Sequence, residues 1–146
     1  RRSGGLRVIV LDTNVISELF RPYPDARVIA WIRALTGDVA ITAITLAELL
    51  AGVRRLPDGK RKQLLSSQLV AVVENYRDGR SILAFDEDAA DHYARVLTMR
   101  ERAGMPMSTA DAQIAAICLA HDAVCATRNA KDFAHTGVEV IDPFAV

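Results

Sequence analysis

Arg7-Val8-Ile9-Val10-Leu11-Asp12-Thr13-Asn14-Val15-Ile16-Ser17-Glu18 opens as a β-branched apolar run that stops on an acid. Val15, Ile16, Leu19 and Phe20 then recur at helical spacing until Pro22, which cannot extend a helix. The stretch predicts strand, turn, helix, with the Asp12 carboxylate at the strand's carboxyl edge.

The same alternation continues outward. Val28, Ile29, Ile32 and Leu35 form an amphipathic helix closed by Gly37, and Val39 to Ile41 is a short apolar strand. Leu46, Leu49, Leu50 and Val53 mark a helix face from Thr45, Leu56-Pro57-Asp58-Gly59 is a turn, and a long helix runs from Lys60 to about Tyr76. Ile82 to Phe85 reads as a strand, Asp86 opens a helix to Gly104, and Ser108 to His121 is a helix apolar on nearly all sides. Val124 to Ala126 and Val138 to Ile141 complete five strands. Strands alternating with helices predict an α/β three-layer sandwich with a mainly parallel sheet, because parallel neighbours need crossover connections. In such sheets ligands bind beyond the carboxyl ends of the strands, here at Asp12 and after Ala126.

Composition narrows the class. The chain has 146 residues, 51% hydrophobic and 25% charged, which suits one well-packed domain and excludes intrinsic disorder. Residues 1–5, Arg1-Arg2-Ser3-Gly4-Gly5, lack Met and an apolar h-region and read as an appended remnant, leaving 6–146 as a single domain. Eighteen basic and eighteen acidic side chains cancel, so any hold on a polyanion must come from local patches. The longest apolar run, Ile114 to Ala120, falls far short of the roughly 20 residues of a membrane span, so no membrane association is expected. Cys118 and Cys125 have no metal-ligand spacing and read as buried thiols, which fits a reducing cytoplasm.

Three acids stand out. Asp12 is either an N-cap or a site carboxylate. Glu48 points away from the Leu46/Leu50/Val53 face and is flanked by Ala47, Ala51 and Gly52 rather than by a cation at i+4. Such a stripe of small residues implies close approach of another element, where a carboxylate needs a cation or a raised pKa. Asp111 in Ser108-Thr109-Ala110-Asp111 reads as a capping box, yet the apolar helix behind it implies an enclosed amino end. Carboxylates converging from separate elements repel one another unless a divalent cation intervenes, and Mg²⁺ suits hard oxygen donors. A cation there can activate water for displacement at phosphorus.

Four segments in order carry a resemblance: Val8 to Glu18, Ile44-Thr45-Leu46-Ala47-Glu48-Leu49, Ala110-Asp111-Ala112-Gln113-Ile114-Ala115-Ala116, and Ala126-Thr127-Arg128-Asn129-Ala130-Lys131-Asp132-Phe133. Together they resemble PIN-domain proteins, particularly VapC-type and FitB-like toxins. The resemblance implies a five-stranded parallel sheet between helices, endoribonuclease activity and an Mg²⁺ or Mn²⁺ site with Asp12, Glu48 and Asp111 as its acids. It also implies a homodimer and a cognate VapB-like antitoxin whose tail occupies the active-site groove. We expect that partner to insert a basic side chain among the acids.

The chain departs from the pattern after Thr127-Arg128, where many relatives carry a fourth acid and this sequence has Asn129. Either Asn129 caps a short helix with Asp132 as its box partner, or Asn129 orients a water while Asp132 supplies outer charge.

Arg54, Arg55, Lys60, Arg61 and Lys62 beside the Glu48 helix form a candidate RNA-contacting rim, or simply a solvated turn. Arg100 and Arg102 are a weaker candidate. Asp86-Glu87-Asp88 and Asp91 read as a cap and acidic first turn, and His92, His121 and His135 have no ligand spacing. A haloacid-dehalogenase-like phosphotransferase wants an acid where Asn14 stands, a receiver-like domain lacks its acidic pair, and no GxGxxG supports dinucleotide binding. The remaining alternative is a PIN-fold binding module, a non-catalytic subunit of a DNA or protein complex; with aromatics at 5% the chain lacks the stacking platforms of single-strand binders.

Overall fold

The structure is a computed structural model and describes residues 7–79 and 81–145. The expectation for residues 1–5 lies outside them. Thirteen short elements alternate along the described chain: β1 (Ile9–Leu11), α1 (Thr13–Ile16), a 3-10 turn (Ser17–Phe20), α2 (Ala26–Ala34), β2 (Val39–Thr42), α3 (Ala43–Arg54), α4 (Lys60–Gly79), β3 (Ser81–Leu83), α5 (Glu87–Arg102), α6 (Thr109–Ala120), β4 (Val124–Ala126), a second 3-10 turn (Ala130–Phe133) and β5 (Val140–Ile141).

The five strands form one sheet in the order β3-β2-β1-β4-β5, every neighbouring pair parallel. β1 is central, with Val10 opposite Ala40 of β2 and Cys125 of β4. The period of two sorts the strand residues between the faces. Leu11, Val39, Ile41 and Ala126 pack on one side with Val15, Ile16, Val28 and Tyr76 from α1, α2 and α4. Val10, Ala40 and Cys125 pack on the other with Ile114 and Cys118 of α6 and with Phe133. Both faces are covered, which is why the strands read as apolar runs rather than alternating ones. Each fully buried Leu, Ile or Val there contributes about 1.5–3 kcal/mol.

The helix expected through Phe20 is α-helical only to Ile16 and then tightens to 3-10. Pro22 has no N–H to offer Glu18, so the Arg21 amide takes the Glu18 carbonyl instead at 3.3 Å. Glu18 itself turns inward, buried, and accepts the Asp25 amide at 2.8 Å. Asp86 caps α5 through the Ala89 amide, and Asp91 pairs with Arg95 at 2.9 Å, so those acids are structural. Gly104, with φ +73, ends α5 by turning its amide back to Glu101.

Candidate active site

Asp12 extends the β1–β4 ladder through its amide to the Ala126 carbonyl and then caps α1. Its Oδ1 accepts the Thr13 amide at 2.8 Å, so the capping reading is correct for one oxygen. Its Oδ2 accepts the Thr127 hydroxyl at 2.7 Å and the Asn14 amide nitrogen at 3.3 Å. The side chain is almost wholly buried. Burial lifts its carboxyl above the usual range, hydrogen bonds from Thr127 and Thr13 oppose this, and the charges of Asp111 and Glu48 push it further up.

Glu48 lies exposed on α3, one turn beyond the Thr42 cap that starts the helix. The element expected to approach it is α1: the Thr13 hydroxyl donates to Glu48 Oε1 at 2.5 Å and lies 3.1 Å from the Thr45 hydroxyl. Asp111 sits half-buried in the first turn of α6, its amide donating to the Ser108 hydroxyl at 3.1 Å, as a capping box requires. Burial raises its carboxyl, Ser108 opposes, Asp132 and then Glu48 raise it again, and Arg100 lowers it.

The charges of Glu48 and Asp111 therefore act on Asp12, and that of Glu48 on Asp111, from the end of β1, the middle of α3 and the first turn of α6, with Asp132 acting on Asp111 as well. Asn129 is exposed, and its side chain does not cap the 3-10 turn, which removes the cap-and-box reading of Asn129 with Asp132. Its backbone amide instead donates to the Thr127 hydroxyl at 3.1 Å.

The basic rim divides. Lys62 is occupied by the Arg54 carbonyl and Asp58, both at 3.2 Å. Arg54 lines a separate cavity of about 350 Å³ between α3 and α4. Arg55 and Lys60 are exposed, and Arg61 lines the cleft that contains Glu48. Arg100 must be struck from the phosphate contacts: it is buried, with Nε on the Met105 carbonyl at 2.6 Å and Nη1 on the Ala134 carbonyl at 2.5 Å.

Sequence reasoning assigned no role to Thr127, Asn14, Thr13 or Thr45. Thr127 is fully buried, and Asn14 joins it by donating to Thr127 Oγ1 and accepting the Arg128 amide at 3.0 Å. The available signal was a polar residue directly following a fully buried strand, where an unpaired hydroxyl is costly.

Among the described residues no group of three or more His, Cys, Asp or Glu side chains is arranged to hold a metal ion by itself. The donor set nevertheless fits a hard divalent cation, since Mg²⁺ keeps several waters and needs only one or two carboxylates. The nearby Cys118 and Cys125 are buried free thiols, and hydrogen bonding between them and then burial hold the Cys125 thiol well above its ordinary range.

The PIN domain matches this chain over residues 9–139. The chain belongs to the PIN domain family. This PIN domain is 40% identical over 138 residues to the VapC ribonuclease Y4jK of Sinorhizobium fredii, covering 94% of this chain and 98% of the relative. It is 41% identical to toxin FitB of Neisseria gonorrhoeae, covering 94% and 99%. Its fold is similar to the crystal structure of FitAcB from Neisseria gonorrhoeae, with a TM-score of 0.87 at 40% identity over 94% of this chain and 99% of that one. It also resembles VapBC2 from Rickettsia felis bound to a promoter DNA fragment, with a TM-score of 0.78 at 25% identity over 92% and 97%. No helix among the described residues of this PIN domain is long and apolar enough to cross a membrane.

Proposed function

We propose that this chain is the toxin of a toxin–antitoxin pair, a metal-dependent endoribonuclease that hydrolyses RNA phosphodiester bonds at Asp12, Glu48 and Asp111. The observation that carries the reading is that Thr13 ties Asp12 to Glu48 beyond the carboxyl end of β1, its amide on one and its hydroxyl on the other, in a chain about 40% identical to a VapC ribonuclease. A non-catalytic binding module gives no reason to keep three repelling acids together.

Asp12, Glu48 and Asp111 would hold Mg²⁺ or Mn²⁺, which when bound neutralises the cluster and lowers the pKa of water for attack at phosphorus. The protein's part is orientation. The Thr13 amide and Thr127 hydroxyl fix the two Asp12 oxygens, and the Thr13 hydroxyl fixes Glu48. Supporting bonds of this kind are what keep charged groups aimed through a reaction. Asp132 adds a negative charge that acts on Asp111.

The solved neighbours include FitAB and VapBC complexes, which supports a cognate VapB-like antitoxin as partner. That partner places a basic side chain among the acids, the chain forms a homodimer, and it works in the cytoplasm where Cys118 and Cys125 stay reduced. The deciding experiment is incubation of the purified, partner-free chain with total RNA. Mg²⁺-dependent cleavage that EDTA stops is expected; intact RNA at high protein concentration with metal present rejects the reading. Affinity for the partner should fall when Asp12 and Asp111 are both neutralised.

A further inference from the structure

Glu48 does more than face Asp12 and Asp111. It also lines a half-open cleft of about 450 Å³ bounded by α3, the 3-10 turn Ser17–Phe20 and the start of α4. Phe20, Leu49 and Leu65 line it together with Arg21 and Arg61. Arg21 is partly neutralised by buried Glu18 at 3.3 Å, whereas among the described residues no ion pair holds Arg61. The cleft thus joins an acid of the site, an apolar lining and the unpaired Arg61 guanidinium, and its volume lies within the usual range for a small-ligand site.

We infer that this cleft is a nucleotide subsite: it takes one unstacked base of the RNA, adjacent to the bond cleaved, against Phe20 and the leucines, with that nucleotide's phosphate on Arg61. The inference rests on the ribonuclease reading of the acids and adds where the strand goes next. Sequence-tolerant binding of single-stranded RNA relies on bases stacked on aromatic rings or guanidinium planes beside a positive backbone track. Phe20 and Arg61 supply both, and guanidinium groups suit phosphate in particular. Arg61, the cation of the cleft with no ion pair among the described residues, supplies the charge complementarity to a phosphate, since Glu18 already occupies Arg21. Glu48 belongs both to the acid cluster and to the cleft lining, so a nucleotide bound in the cleft lies beside the acids.

The test uses the full chain carrying Asp12→Asn, which binds RNA without cutting it, with single-stranded RNA oligonucleotides in Mg²⁺ followed by fluorescence anisotropy. Arg61→Ala in that background should weaken binding about tenfold and flatten the salt dependence by about one unit of slope. Removing the base at one oligonucleotide position should cost about tenfold, the loss of one stacked base, and Phe20→Leu, which keeps most of the volume, should add nothing to that loss. Equal binding of all abasic oligonucleotides, with Arg61→Ala matching its parent, overturns the subsite while cleavage by the unmutated chain leaves the nuclease reading standing. Loss of partner binding in Phe20→Leu and Arg61→Ala with RNA binding intact likewise overturns it and assigns the cleft to the antitoxin. An unmutated chain that neither binds nor cleaves RNA rejects both readings together.

Discussion

The Thr127 hydroxyl donates a 2.7 Å hydrogen bond to Asp12 Oδ2, joining the exits of β4 and β1 across 115 residues of chain. A bond to a buried charge of this kind contributes about 1.5–3 kcal/mol. Thr127→Val keeps the shape and removes the donor, so at neutral pH the protein should lose about 1–3 kcal/mol by denaturant titration. The acid limb of its cleavage profile should move to higher pH, because the bond that opposes the upward shift of Asp12 is gone. Thr127→Ser should restore both; a profile unmoved in Thr127→Val would mean the bond does not govern Asp12.

Asp12→Asn should fold normally by circular dichroism and lose cleavage by about 10²–10³-fold, the cost typical of one key electrostatic contact. The amide oxygen can still take the Thr13 N–H, and the side chain keeps its shape. Retention of most of the activity would remove Asp12 from the site.

Stability without metal should depend on pH through Asp111. Its carboxyl titrates above the unfolded value, so between the two the native state holds more protons than the unfolded chain. The penalty is absent below the unfolded pKa of about 3.9 and grows as pH rises through the raised native value. Metal-free Asp111→Asn should therefore melt higher than its parent at neutral pH, and the gap should close on acidification. Mg²⁺ should reverse the order by stabilising the parent more. A metal-free variant that melts lower at neutral pH would identify Asp111 as a helix cap and nothing more.

Asn129→Asp should tighten Mg²⁺ or Mn²⁺ binding in calorimetric titration, since it returns a charge near Thr127. Asp132→Asn should reduce activity less than Asp12→Asn does, because the charge of Asp132 acts on Asp111 and not on Asp12. Unchanged metal affinity in Asn129→Asp places that position outside the site.

The order of strands and helices was legible because each strand is a short β-branched run and each helix keeps its own apolar spacing. Val124 to Ala126 matched β4 residue for residue. The acids were legible by the company they keep: Asp12 after an apolar strand, Glu48 on a stripe of small residues, Asp111 before a fully apolar helix. What stayed hidden depends on pairing between distant segments. Nothing local marks Thr127 as the donor to Asp12 or Thr13 as the partner of Glu48, because each bond exists only once the chain is folded. Arg100 misled for the same reason: a surface-looking cation whose carbonyl partners, Met105 and Ala134, lie partly far along the chain.

The sheet order β3-β2-β1-β4-β5 puts the earliest strand in the middle and one of the latest against it. On a ribosome adding roughly 5–20 residues per second, the 115 residues from Asp12 to Thr127 take about 6 to 23 s to emerge. Through that interval Asp12 has neither its hydroxyl partner nor the neighbouring strand, so a nascent or truncated chain carries the acid without the machinery. The finished groove therefore appears only with the last strands of the sheet, and any truncation before β4 leaves Asp12 without its hydroxyl partner.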